Sequence, residues 1–169
     1  MIFITTQKII AISLALLGLA TWNACADVVI SGTRVIYPAQ AKEVTVKLDN
    51  RGDKALLIQT WINDGREDVN PKEMKIPFLV TPPISRMNAK EGQTVKIASL
   101  GNELPKDKES VFWFNVLEIP PKAKNNTDEN LLQLAFRTRI KLFYRPEGLT
   151  GSAAEAVNAL SWKIVKNNQ

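Results

Sequence analysis

The chain has 169 residues, with 22 lysines plus arginines against 17 acidic residues, one cysteine and no histidine. Without histidine there is no Ser-His-Asp or Cys-His catalytic arrangement, no imidazole metal ligand and no imidazole pH switch, and a single thiol excludes an intramolecular disulfide and a cysteine-rich zinc site. A hydrophobic fraction of 45% is ordinary for a globular chain, and the net charge of +5 comes with no arginine-rich helix or aromatic-basic signature, so nucleic acid is not an expected partner.

Lys8, the apolar run Ile9 to Ala20 and the small residues Ala24-Cys25-Ala26 have the charged, apolar and cleavage regions of a secretory signal. The apolar run is short for a membrane span. Residues 1–26 are therefore expected to be a signal peptide cleaved after Ala26, leaving an exported, disulfide-free protein with no stable membrane insertion. Lipidation of Cys25 is not expected, because Trp22 and Asn23 stand where a lipidation box needs small or aliphatic residues.

Beyond Ala26 helical periodicity is nearly absent, and short period-two runs recur between Pro, Gly, Asn and Asp clusters. A first strand is predicted from Val28 to Tyr37, ended by Pro38, and a second over Glu43 to Asp49, closed by the turn Asn50-Arg51-Gly52-Asp53. The third, Ala55 to Ile62, carries Trp61 in a place that fits an immunoglobulin-like core. Phe78 to Thr81 meets Pro82-Pro83 and resumes as Ile84 to Met87; Gln93 to Ile97, Val111 to Ile119 and Leu131 to Tyr144 complete the set. About seven strands separated by turns predict an all-β, seven-stranded immunoglobulin-like β-sandwich.

Phosphate-binding glycine loops, metal-ligand clusters and nucleophile elbows are missing, so neither an enzyme nor a cofactor is expected. The informative stretch is Asn130 to Pro146. Extended, it projects Leu132, Leu134, Phe136, Thr138 and Ile140 to one face and Gln133, Ala135, Arg137, Arg139 and Lys141 to the other. Spacing alone favours a half-buried strand that completes the core. The alternative is an exposed edge offering backbone hydrogen bonds and a row of apolar side chains to another polypeptide, with the three basic residues guarding against self-pairing.

The run Leu104-Pro105-Lys106-Asp107-Lys108-Glu109-Ser110-Val111-Phe112-Trp113-Phe114-Asn115-Val116-Leu117-Glu118-Ile119-Pro120-Pro121, with Thr81-Pro82-Pro83, Ile140 to Pro146 and Thr33-Arg34, resembles the periplasmic chaperones of the chaperone-usher pilus pathway. The resemblance covers residues 27–146. It implies a PapD-like amino-terminal domain that stabilises pilus (fimbrial) subunits by donor-strand complementation and delivers them to an outer-membrane usher. Under that resemblance Asn130, Leu132, Leu134 and Phe136 belong to the donated strand. Arg34 and Lys141 match the two cations that anchor the subunit's C-terminal carboxylate, and Glu109 and Arg145 match a structural ion pair that also involves the second domain. The short Lys122 to Asn130 loop resembles the branch of the family that serves rod-forming pili.

Family members carry a second immunoglobulin-like domain, for which residues 147–169 are too few. Those residues read as a hinge, Glu147 to Ala159, and as the first strand, Leu160 to Val165, of a truncated second domain, with a frayed or loosely docked tail. A chaperone that binds weakly, an inactive chaperone remnant and an exported immunoglobulin-like binding module with another partner remain alternatives. Self-capping of the donor edge in a homodimer is a further expectation.

Overall fold

The computed structural model describes residues 27–66, 73–101, 104–122, 134–152 and 154–163. The signal segment, Asn130, Leu132 and the loop from Ala123 lie outside the described residues. Among the described residues nine strands form two facing sheets. One sheet has the order β1 (Val28–Ile30), β3 (Glu43–Asn50), β7 (Gly92–Ser99), β5 (Phe78–Thr81); the other has the order β2 (Arg34–Pro38), β9 (Phe136–Arg145), β8 (Ser110–Ile119), β4 (Leu56–Asn63), β6 (Ile84–Met87).

The nine strands come from seven runs, because two runs change sheets. The expected single strand from Val28 to Tyr37 is instead β1, antiparallel to β3, and β2, parallel to β9. Gly32, at φ +108°, makes the break, since the left-handed region needed to turn from one sheet to the other favours glycine. The second crossover lies between β5 and β6 at Pro82-Pro83, after a cis Thr81–Pro82 bond. It is tied to β4 by Thr60, whose hydroxyl donates to the Pro82 carbonyl (2.9 Å) and whose N–H donates to the Pro83 carbonyl (2.8 Å).

Alternation builds the core. Leu56, Ile58, Thr60 and Ile62 of β4 point inward, as do Val46 and Leu48 of β3, Val95 and Ile97 of β7, and Phe112, Phe114 and Val116 of β8. On β8 the same parity continues to Glu118, a buried carboxylate where an apolar side chain would be expected. Trp61 falls on the opposite parity and is only half-buried, so it lies on the outer face of its sheet and is not the core tryptophan expected. The core position is filled by other aromatics. Tyr37 lies 5.4 Å from Phe78 and 5.9 Å from Tyr144, and Phe78 meets Phe112 edge-on at 5.1 Å.

The described part of the tail buries no side chain against the sandwich. Glu155–Ala159 forms a short 3-10 helix with no buried residue. Ser152 and Glu155 bond each other reciprocally at its start, the Ser152 N–H donating to the carboxylate and the Glu155 N–H to the hydroxyl. The expected strand from Leu160 is not formed over Leu160 to Lys163, and Trp162 is 92% exposed. A lone extended segment gains no ladder hydrogen bonds without a neighbouring strand.

Tyr37 is fully buried, and its hydroxyl lies 3.0 Å from the carbonyls of both Ala41 and Lys42 while accepting from the Ser99 N–H at 2.9 Å. It joins β2 to β7 of the opposite sheet. Tyr37→Phe is expected to lower the unfolding free energy by about 1–3 kcal/mol in denaturant titration. Leu79→Ala, at a side chain 54% exposed, is expected to change it by less than about 0.5 kcal/mol.

Candidate functional site

The site is the amino-terminal half of β9 and the point at which β2 joins it. β9 pairs antiparallel with β8 along most of its length, from Phe136 opposite Glu118 to Tyr144 opposite Ser110. Its other edge carries β2 in parallel, from Arg34 opposite Lys141 to Pro38 opposite Arg145. The β2 ladder therefore stops at Lys141, and β9 extends past the end of β2 towards Leu134.

Burial along β9 follows this change. Leu134, Phe136, Ile140 and Leu142 share the core-side parity; Leu142 is fully buried, Ile140 packs against the core, and Phe136 and Leu134 are 60% and 56% exposed. The apolar face thus continues beyond the end of the core it belongs to. On spacing alone the strand reads as half-buried; the structure makes it buried at one end and exposed at the other, because the sheet narrows where β2 ends.

Arg34 and Lys141 are brought together by the parallel register, although more than a hundred residues separate them in the chain. Paired residues of adjacent strands lie about 5 Å apart and, in register, project from the same face. Both side chains are exposed. Glu109 and Arg145 also meet, with Arg145 Nε donating to Glu109 Oε1 at 2.6 Å. Their side chains are 30% and 42% exposed respectively, so the pair is partly screened by water and weak as a stabiliser.

Arg137, Arg139 and Lys141 lie across the outer face of the sheet. The Arg137 guanidinium is 5.1 Å from the Trp61 ring centre, and Arg139 and Lys141 are 4.3 and 5.6 Å from that of Trp113. Beneath them Asn115 is fully buried. Its Oδ1 accepts two bonds from Arg137, at 2.7 and 3.1 Å, and its Nδ2 donates to the Trp113 carbonyl at 2.9 Å. Gly65 closes the far side of Trp113. A Cβ there would come within 2.7 Å of Nε1, and φ is +93°.

The sequence does not mark Trp113 and Asn115 as site residues, and it offers Trp61 only as a core residue. The signal that finds Trp113 and Asn115 is the β8 parity: every second residue of Trp113-Phe114-Asn115 faces the basic side of β9. Among the described residues no group of three or more His, Cys, Asp or Glu side chains could hold a metal, and no helix is long and apolar enough to cross a membrane.

Comparison with known proteins places this geometry. Residues 27–150 match the family model described as "Pili and flagellar-assembly chaperone, PapD N-terminal domain". The chain is 54% identical over 143 residues to the probable fimbrial chaperone YadV of Escherichia coli K12, covering 83% of this chain and 58% of that one. The YadV crystal structure superposes with a TM-score of 0.68 over 81% of this chain and 60% of that chain. Chaperone protein FimB/FhaD of Bordetella pertussis is 45% identical over 161 residues, 93% of this chain and 66% of that one. A chain in the Salmonella enterica structure of the SafA pilin in complex with the SafB chaperone is 26% identical, with a TM-score of 0.72 over 86% of this chain and 67% of that chain. The chain spans 58% and 66% of the length of the two curated relatives. With an immunoglobulin-like sandwich that leaves β9 protruding past β2, and a match over residues 27–150, the chain belongs to the pili and flagellar-assembly chaperone family, through its PapD amino-terminal domain.

Proposed function

We propose that this chain is a periplasmic chaperone that stabilises pilus subunits by lending them the amino-terminal half of β9, and that it passes them to an outer-membrane usher. The observation that carries the reading is the end of the β2 ladder at Arg34 and Lys141, with Leu134 and Phe136 exposed beyond it. Strand addition needs a free backbone edge for affinity and alternating side chains for specificity, and donor-strand complementation of pilins is a recognised instance. The SafA–SafB complex supports the assignment of partner.

The geometry also supports a direction for the guest. β2 occupies the distal part of the β9 edge and runs parallel to β9. A guest strand on the vacant part, also parallel, runs out where β2 begins. Its terminal carboxylate then falls beside Arg34 and Lys141, which supply charge-assisted hydrogen bonds and fix the register. A one-residue slip would turn the guest's apolar side chains away from Leu134 and Phe136. Asn130 and Leu132, outside the described residues, would extend the donated row, and Glu109–Arg145 would brace the end of β9. The same reading takes residues 1–26 as a cleaved export signal, residues 27–146 as the working domain and residues 147–169 as the start of the connection to a second one.

Lys141→Ala and Arg34→Ala are each expected to weaken capture of a coexpressed pilus subunit roughly 10- to 100-fold, the equivalent of one charge-assisted hydrogen bond of about 1.5–3 kcal/mol. Quantitative pull-down from periplasmic extracts measures this. Wild-type capture by both variants would overturn the anchor. Leu134→Asp combined with Phe136→Asp is expected to abolish capture while moving the unfolding midpoint by no more than about 3 °C, because both side chains are exposed already. Capture that survived this double substitution would remove β9 as the donor.

A further inference from the structure

Glu118 is 3% exposed, and its Oε1 has no hydrogen-bond partner. It is the last inward residue of β8, with Ile58 of β4 and Phe136 of β9 as its cross-strand neighbours. The backbone N–H of Val28, at the start of β1, donates to its carboxylate. The charged group that acts on it is another carboxylate, that of Asp27, one residue earlier. Burial, aided by Asp27, holds the Glu118 carboxyl above the usual range against the opposing Val28 bond. A desolvated carboxyl with an unbonded oxygen and an acidic neighbour is relieved either by a proton or by a cation placed beside it.

A cation becomes available at the adjacent nitrogen. Asp27 is pinned at this end of the sandwich: its carbonyl accepts from the Arg51 N–H at 2.6 Å, and its side chain lies against Gly52, where a Cβ would approach within 2.6 Å. Its nitrogen is one peptide unit, about 3.8 Å of chain, from the Val28 N–H that already holds Glu118. In the uncut chain that nitrogen is a neutral amide. Hydrolysis of the Ala26–Asp27 bond adds water, leaving a carboxylate on Ala26 and passing the proton to the amine, which becomes an ammonium.

We propose that the Glu118 carboxylate is the receptor for the Asp27 α-ammonium created by signal cleavage, so that export itself completes the end of the core on which Phe136 of the donor strand is registered. The proposal rests on the reading of residues 1–26 as a cleaved signal. It accounts for a glutamate at a position whose parity calls for an apolar side chain, and for the orphaned oxygen beside the amino terminus.

The two forms predict opposite signs for one substitution. With residue 27 acylated, Glu118 has a folded pKa above its unfolded one, so its contribution is present at low pH and lost as the pH rises through the folded value. Glu118→Gln then raises stability at pH 7. With a free ammonium, charged carboxylate and ammonium stabilise each other, and Glu118→Gln lowers it. That contribution is lost on the alkaline side as the ammonium, ordinarily titrating near about 8, gives up its proton, and on the acid side as Glu118 takes one up.

The test uses protein exported and purified from the periplasm, its terminus read by intact mass, together with the same protein carrying Gly-Ser ahead of Asp27. Glu118→Gln is expected to lower the unfolding midpoint of the first and to raise or leave unchanged that of the second. Competitive acetylation of the α-amine at pH 7 is expected to be at least 10-fold faster in the exported Glu118→Gln protein than in wild type. Equal labelling rates, or a Glu118→Gln effect of the same sign in both forms, would overturn the proposal while leaving the export reading intact. A mature terminus other than Asp27 would overturn both.

Discussion

The parallel ladder between β2 and β9 is the constraint on which the rest of the structure depends. A strand that pairs along both edges is part of a core, and one that pairs along a single edge can accept a guest; β9 is the first kind from Lys141 to Tyr144 and the second kind before it. The boundary is set by where β2 begins, and β2 begins where Gly32 lets the chain leave the β1–β3 sheet. A continuous strand from Val28 to Tyr37 would have stayed with β3 and left the Lys141 to Arg145 segment unsupported.

That arrangement resolves a conflict between stability and exposure. An edge bearing Leu134 and Phe136 is costly to hold in water and gains no stability from its own sandwich. The outer face supplies rigidity that the inner face lacks there. Arg137 bonds Asn115 twice and lies on Trp61, so the strand is fastened to β8 and β4 from the solvent side at the level where its core side is open. These basic residues therefore lie over tryptophans on the sheet face instead of projecting as guards along the edge, and their charge leaves backbone pairing accessible.

Much of this was legible because period-two patterning reports burial directly. Seven runs, their turns and the faces of the last strand can be read from residues such as Val44, Val46 and Leu48 against Thr45 and Lys47. Crossovers are less legible, since the Ser31-Gly32-Thr33 interruption looks like a weak point within one strand until the sheet partners are known. Trp61 misleads for a related reason: an aromatic in a strand has two faces available, and here an arginine from β9 makes the outer one favourable. Arg34 and Lys141 could be paired only through family resemblance, because non-local register has no signature in the local pattern. Glu118 was hidden inside the very run that carried the resemblance, where its inward parity is evident only when counted from Phe112.

The exposed apolar row of β9 would also serve a second copy of the chain, and on the strand-lending reading the basic pair discriminates between the two guests. A pilus subunit ending at the β2 boundary brings a carboxylate to Arg34 and Lys141. Another β9 laid along the same edge continues past that point into its own Arg145 and Pro146, and brings further cations. Backbone hydrogen bonds and apolar contacts are available to both, so they contribute affinity without choosing. The difference lies in one guanidinium and one ammonium group that are neutralised by one guest and repelled by the other, and specificity of this kind requires such an unfavourable alternative as well as a favourable match.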